Sequence, residues 1–257
     1  MKRRFKISAI TVLSAALAIL CSPCAGAPSW EHYSFDYTQV SVQEGLTHQN
    51  ITSLHYDKRG ILLVGTQLGV SVIVNSVPTT CTGYFAKDGY YGIGRVMGFA
   101  SQESSDNILI ATEEALLEMK LGIGSITPLM RDAHTIVPSA IADYGKKAVF
   151  FCKACRKFGF YNFETGSIEI LEDQDKFDSY NFRKILVSNP DDPNILLVDE
   201  EKGVFRFNTD NGNFTHIASI DGKINATASY IDKLGDLWLA KTGKGISCYK
   251  PKENFRE

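Results

Sequence analysis

The chain has 257 residues, 44% hydrophobic and 22% charged, with a net charge of −2. That is an ordinary globular composition, long enough for one large all-β domain. No basic stripe gathers on any one segment, so nucleic acid and anionic membrane surfaces are not expected partners. Six cysteines are too few for a disulfide scaffold of this size, and the core must come from burial.

Residues 1–26 read as a signal peptide. Lys2-Arg3-Arg4-Phe5-Lys6 is a basic start and Ile7 to Leu20 an apolar run too short to span a bilayer comfortably. Cleavage is expected within Cys24-Ala25-Gly26-Ala27. Lipidation at Cys21 or Cys24 is the weaker reading, because Leu20 and Pro23 are not the small residues that precede a lipidated cysteine. The expected location is periplasmic, with no membrane attachment after cleavage.

Residues 27–257 read as a single domain. Trp30 to Tyr37 alternates aromatic and polar residues as a strand would. The unit that follows has runs at Asn50 to His55, Ile61 to Gly65 and Val70 to Val74, split by turns at Asp57 to Gly60 and Thr66 to Gly69. Fainter copies follow. Their middle runs are marked by Gly65, Ala111, Phe151, Val198 and Ala240, separated by 46, 40, 47 and 42 residues. No stretch of helical periodicity appears after the signal segment. Such spacing predicts a β-propeller of four-stranded antiparallel blades, five of them recognisable, alone or as part of a seven-bladed ring. Trp30 to Tyr37 is expected to supply the outer strand of the fifth copy, hiding a sheet edge.

Asp57-Lys58-Arg59-Gly60-Ile61-Leu62-Leu63-Val64-Gly65-Thr66 resembles the two-component regulator propeller repeat, roughly D-x-x-G-x-(L/I)-W-(I/V)-G-T. Asp232 to Ala240 is a second good match and keeps the tryptophan, as Trp238, that the first copy replaces with Leu63. The lead-in Glu44 to Ile51 resembles that family's (D/E)-G-L-S-x-N-x-V segment. The resemblance implies the exported sensor portion of a hybrid histidine kinase of Bacteroidetes-type bacteria, reading glycan breakdown products. Such sensors carry further propellers, an immunoglobulin-like domain and kinase domains. Here the resemblance implies a stand-alone or truncated relative.

The loops that lead into the inner strands of a propeller converge on one mouth of its channel, where concave sites form. Here they carry His48, Asn50, Tyr90, Tyr91, Arg95, His134, Tyr180, Asn181 and Arg183, aromatic faces and donors suited to sugars or small acids. Trp238 and Phe207, inside strands, are expected in the core. Cys152-Lys153-Ala154-Cys155 ends a strand and lacks the strand-to-helix context of a redox motif and the other ligands of a zinc site. Structural or incidental thiols, or a local disulfide, are expected there. Carboxylates cluster in turns such as Asp191-Asp192 and Asp199-Glu200-Glu201, where solvation is the usual role. No set of nucleophile, base and stabiliser can be named. The expected function is a non-catalytic, ligand-binding sensor propeller, without cofactor or metal. Its expected partner is an oligosaccharide or other small ligand, or a protein, including a second copy of itself. The alternatives are a propeller lyase or glycosidase, or a non-functional fragment of a larger sensor.

Overall fold

The computed structural model describes residues 39–131, 137–171, 177–199, 201–218, 224–241, 243 and 245–250, and Val40–Glu257 form one unit. Blade one is β1 (Ile51–Tyr56), β2 (Leu62–Thr66), β3 (Val70–Val74) and β4 (Val77–Cys81). A hairpin, β5 (Gly83–Ala86) and β6 (Gly89–Gly92), leads to blade two: β7 (Val96–Ser101), β8 (Asn107–Thr112), β9 (Ala115–Lys120) and β10 (Ser125–Arg131). Blade three is β11 (Pro138–Tyr144), β12 (Lys147–Cys152), β13 (Lys157–Asn162) and β14 (Ile168–Ile170). Blade four is β15 (Phe182–Leu186), β16 (Asn194–Asp199), β17 (Gly203–Asn208) and β18 (Phe214–Ala218). Blade five shows β19 (Ile224–Ile231), β20 (Leu237–Lys241) and β21 (Gly245–Tyr249).

Every sheet is an antiparallel meander, in strand order within each blade. The inner strands stand side by side in chain order, β1 by β7, then β11, β15 and β19. This is a β-propeller, as the repeat spacing predicts. The expected signal segment, the expected closing strand Trp30 to Tyr37, and His134 lie outside the described residues. Among the described residues no helix is long and apolar enough to cross a membrane.

The continuous apolar runs of the second strands follow from packing on both faces. Alternate side chains of a strand point to opposite faces. In β8, Ile108 and Ile110 therefore join the core shared with blade one, and Leu109 and Ala111 join the core shared with blade three. Strand β12 does the same: Ala148 and Phe150 face blade two, Val149 and Phe151 face blade four. Each core thus lies between two neighbouring blades. Gly65 marks the closest approach of one pair, since a Cβ there would lie 2.7 Å from Val96 Cγ1. The core between blades three and four is aromatic, with Phe158 stacked on Phe207 at 4.8 Å and Phe151 edge-on to Phe182 at 5.0 Å.

Phe207 is buried as expected, but Trp238 is not: it is 40% exposed. Its Nε1–H donates to Asp232 Oδ2 at 3.0 Å, bracing the turn that Asp232 caps. In blade one the same strand position is Leu63, fully buried. Asp57 there receives Arg59 instead, through Nε at 2.8 Å and a terminal nitrogen at 2.8 Å. The guanidinium replaces the indole as the partner of the turn aspartate. Asp199 also departs from expectation. It is buried rather than solvated, and its carboxylate accepts from the backbone N–H groups of Asn181, Glu201 and Lys202.

Candidate functional site: the near mouth

We call the end where the inner strands begin the near mouth. In blades one to four each inner strand carries one bulged residue there: Thr52, Met97, Ser139 and Arg183. A bulge leaves its residue outside the ladder and re-aims its side chain. Thr52 Oγ1 donates to the Val96 carbonyl of the next blade at 2.7 Å. Ser139 Oγ does the same to Phe182 at 3.3 Å, and is also 3.3 Å from the Phe151 carbonyl. Val96 and Phe182 each immediately precede the next blade's bulge, so the two bonds are equivalent. Arg183 holds this position in blade four, and its Nε is buried with no hydrogen-bond partner among the described residues.

Opposite the bulges, the last residues of the second strands are Thr66, Thr112, Cys152 and Asp199, all buried. Each accepts a backbone N–H of the turn it opens. Leu68 N–H meets Thr66 Oγ1 at 3.1 Å, Ala115 N–H meets Thr112 Oγ1 at 2.9 Å, and Glu201 N–H meets Asp199 Oδ1 at 3.0 Å. Cys155 N–H donates to Cys152 Sγ at 3.4 Å. The first thiol of Cys152-Lys153-Ala154-Cys155 thus fills a turn-capping place that blades one, two and four give to oxygen. Neither cysteine is in a disulfide. Burial, then the hydrogen bond with Cys152, pushes the Cys155 thiol up to about 11, the opposite of an activated thiolate.

Between blades two, three and four these elements enclose a cleft of about 450 Å³. Its charged lining is Glu113, Lys153, Arg156 and Arg183, and its apolar lining includes Met97 and Pro138. Arg156 has a left-handed backbone, φ 58°, and its guanidinium donates to the Tyr180 carbonyl, tying the blade-three turn to the connection that leads into β15. Arg95 lies 3.3 Å from Glu113 as a half-exposed ion pair.

Of the residues singled out from the sequence, Arg183 lines this cleft and Arg95 reaches its Glu113. His48 and Asn50 lie apart on blade one, where Asn50 N–H donates to His48 Nδ1 and Asn50 Nδ2 to Gln67. Tyr91 stays on the hairpin. Its hydroxyl donates to Asp88, and Arg131 lies 3.3 Å over its ring while pairing with Asp88. Tyr90 packs edge-on against Phe85 in the same hairpin. The Tyr180 ring stacks on Phe182 at 5.4 Å, and only its carbonyl reaches the cleft residues. Lys153 lies between the two cysteines and Arg156 directly after them. Their place in the turn after the second strand was the available signal.

At the far mouth a second cavity, about 530 Å³, is lined by Tyr56, Ser101, Gln102 and Asp143 among others. His55 Nε2 lies 2.9 Å from Ser101 Oγ and 3.8 Å from Asp143 Oδ2. Ser101 N–H donates to Asp143 Oδ1 at 2.7 Å. Serine and carboxylate meet the same ring nitrogen, whereas a proton relay needs the carboxylate on the other one. Asp143 keeps about half of its side chain exposed within the mouth, and loss of hydration on its enclosed side raises its pKa. Burial likewise lowers the pKa of Lys184, against the pull of Asp143. No group of three or more metal-ligating side chains occurs among the described residues.

The fold and its two mouths define a β-propeller with concave sites at the ends of its channel. The chain matches no protein-family profile and no curated protein sequence. Among solved structures it is similar to the extracellular domain of a hybrid two-component system of B. thetaiotaomicron, with a TM-score of 0.62 and 15% identity over 84% of this chain. It is also similar to the WD40 β-propeller domain of Doa1, with a TM-score of 0.59 and 15% identity over 82% of this chain and 68% of that one. The designed protein Ika8 matches with a TM-score of 0.50 and 16% identity over 79% of this chain and 59% of its own. The chain spans 31% of the length of the two-component domain.

Proposed function

We propose that this chain is an exported, non-catalytic sensor propeller that binds its ligand, a glycan-derived small molecule or a protein partner, at the near mouth. The observation that carries this reading is the near-mouth cleft itself, where three blades contribute charged side chains around an arginine that the neighbouring repeats do not have. Concave sites with a few convergent polar groups are the usual form of a small-molecule site. Likeness to an extracellular two-component domain supports the sensor reading. So do the two repeats, Asp57 to Thr66 and Asp232 to Ala240, that resemble the two-component regulator family.

A lyase or glycosidase would draw on the far-mouth carboxylates. The shared Nε2 contact of Ser101 and Asp143 on His55 argues for a structural cluster there instead. Calorimetric titration with oligosaccharide mixtures tests the binding role. Heat that saturates, without new reducing ends on long incubation, is the expected result. New reducing ends would move the assignment to a propeller enzyme.

A further inference from the structure

We infer that the near-mouth cleft is a site for a small organic carboxylate, with Arg183 as the residue that selects it. The inference rests on the reading that the near mouth binds a ligand, and adds the ligand's chemistry. Blades one and three place a hydroxyl at the bulge, Thr52 and Ser139, and spend it on a bond to the next blade. Blade four places a guanidinium there, whose Nε is buried and unpartnered among the described residues. A buried donor without an acceptor is costly, which is why nearly all are satisfied. The same side chain lines the open cleft, where its guanidinium can meet an acceptor that arrives with a ligand.

The charge of the lining agrees. Lys153, Arg156 and Arg183 outnumber Glu113, whose own charge is met by Arg95 at 3.3 Å. Arginine's planar fork matches a carboxylate with two parallel hydrogen bonds, and such charge-assisted pairs are the strong ones. The apolar lining, Met97, Val137, Pro138 and Ala154, suits a carbon skeleton rather than a bare inorganic ion.

The test is calorimetric titration of the full chain with D-glucuronate, D-galacturonate and citrate, set against D-glucose and inorganic phosphate. At least one organic acid should bind, more weakly as salt is raised, while glucose and phosphate bind less. Arg183→Thr, which supplies the side chain that blade one uses at this position, should fold as judged by its melt. It should bind the acid about ten- to hundredfold more weakly. Undiminished affinity in that variant overturns the inference. So does phosphate binding equal to that of the acids, or silence with all three acids. Binding of neutral oligosaccharides with no acid bound would overturn only the carboxylate inference and leave the sensor reading standing. Silence with every compound counts against both.

Discussion

Thr52 Oγ1 lies 2.7 Å from the carbonyl oxygen of Val96 and ties the start of one inner strand to the start of the next. Ser139 and Phe182 repeat the tie two blades on. Because each core of this propeller is shared by two blades, bonds across the blade boundary secure the same interfaces that the apolar contacts build. Thr52→Val keeps the side-chain volume and removes the donor. It should cost about 1 kcal/mol and lower the melting temperature by about 2–4 °C for a domain of this size. Differential scanning calorimetry reads this directly, and an unchanged melt would show that the tie is incidental.

Asp57 gives the fold a dependence on acid. Burial alone would raise its pKa. The hydrogen bonds from the Arg59 side chain and backbone and from Ser101 outweigh that and hold the carboxyl at about 2. A carboxylate depressed in the folded state stabilises above its unfolded value, about 3.9, and that stability is lost as pH falls from there through about 2. The contribution is on the order of 2 kcal/mol at neutral pH. Asp143 works the other way, since its raised pKa favours the folded state at low pH and withdraws that support as pH rises. The clean measurement is therefore the difference between wild type and Asp57→Asn. Urea midpoints should separate the two most at neutral pH and converge between about pH 4 and 2. A constant gap across that window would remove Asp57 from the account.

The architecture was legible because its physics is local. Asp and Gly at turns such as Asp57 to Gly60, and second strands packed on both faces such as Ile108 to Ala111, leave a periodic trace in the residues. Hairpin β5–β6, whose two-residue loop is Lys87-Asp88, was less so. It pairs with no blade, so no other repeat carries a copy that would mark it. The candidate site was legible only in part. Arg183 lies on an inner strand and could be placed at the mouth from the repeat alone. Tyr180, two residues before β15, turns its ring into the aromatic core between blades three and four, a choice set by Phe182, Phe205 and Phe214. Trp238 was misread for the same reason in reverse. A strand position that is core in one blade faces solvent in another, depending on whether the turn aspartate needs the indole.

Cys152 should tolerate oxygen in place of sulfur. If it is a turn cap equivalent to Thr66 and Thr112, Cys152→Thr should melt close to wild type, whereas Cys152→Ala should lose about 1 kcal/mol for want of the acceptor. Cys155, with its thiol pushed up to about 11, should label slowly with a thiol-reactive disulfide reagent at pH 7.5 and faster toward pH 10. Rapid labelling at neutral pH, or a melt of the threonine variant as low as that of the alanine one, would restore the case for a reactive pair.

Arg183→Thr should separate stability from recognition. The native arginine carries a buried Nε without a partner among the described residues. Removing it relieves a penalty of about 1–3 kcal/mol. Against that stands the loss of the arginine stem, which packs as an apolar chain does. The balance favours a melt equal to or a few degrees above wild type. The same substitution should weaken binding of an organic acid, the pattern of a residue kept for function at the expense of stability. Arg183→Lys keeps the charge but loses the planar fork, so it should retain part of the affinity and its salt dependence. A threonine variant that melts well below wild type would mean that Arg183 is holding blades three and four together, and the cleft would then be a by-product of their packing.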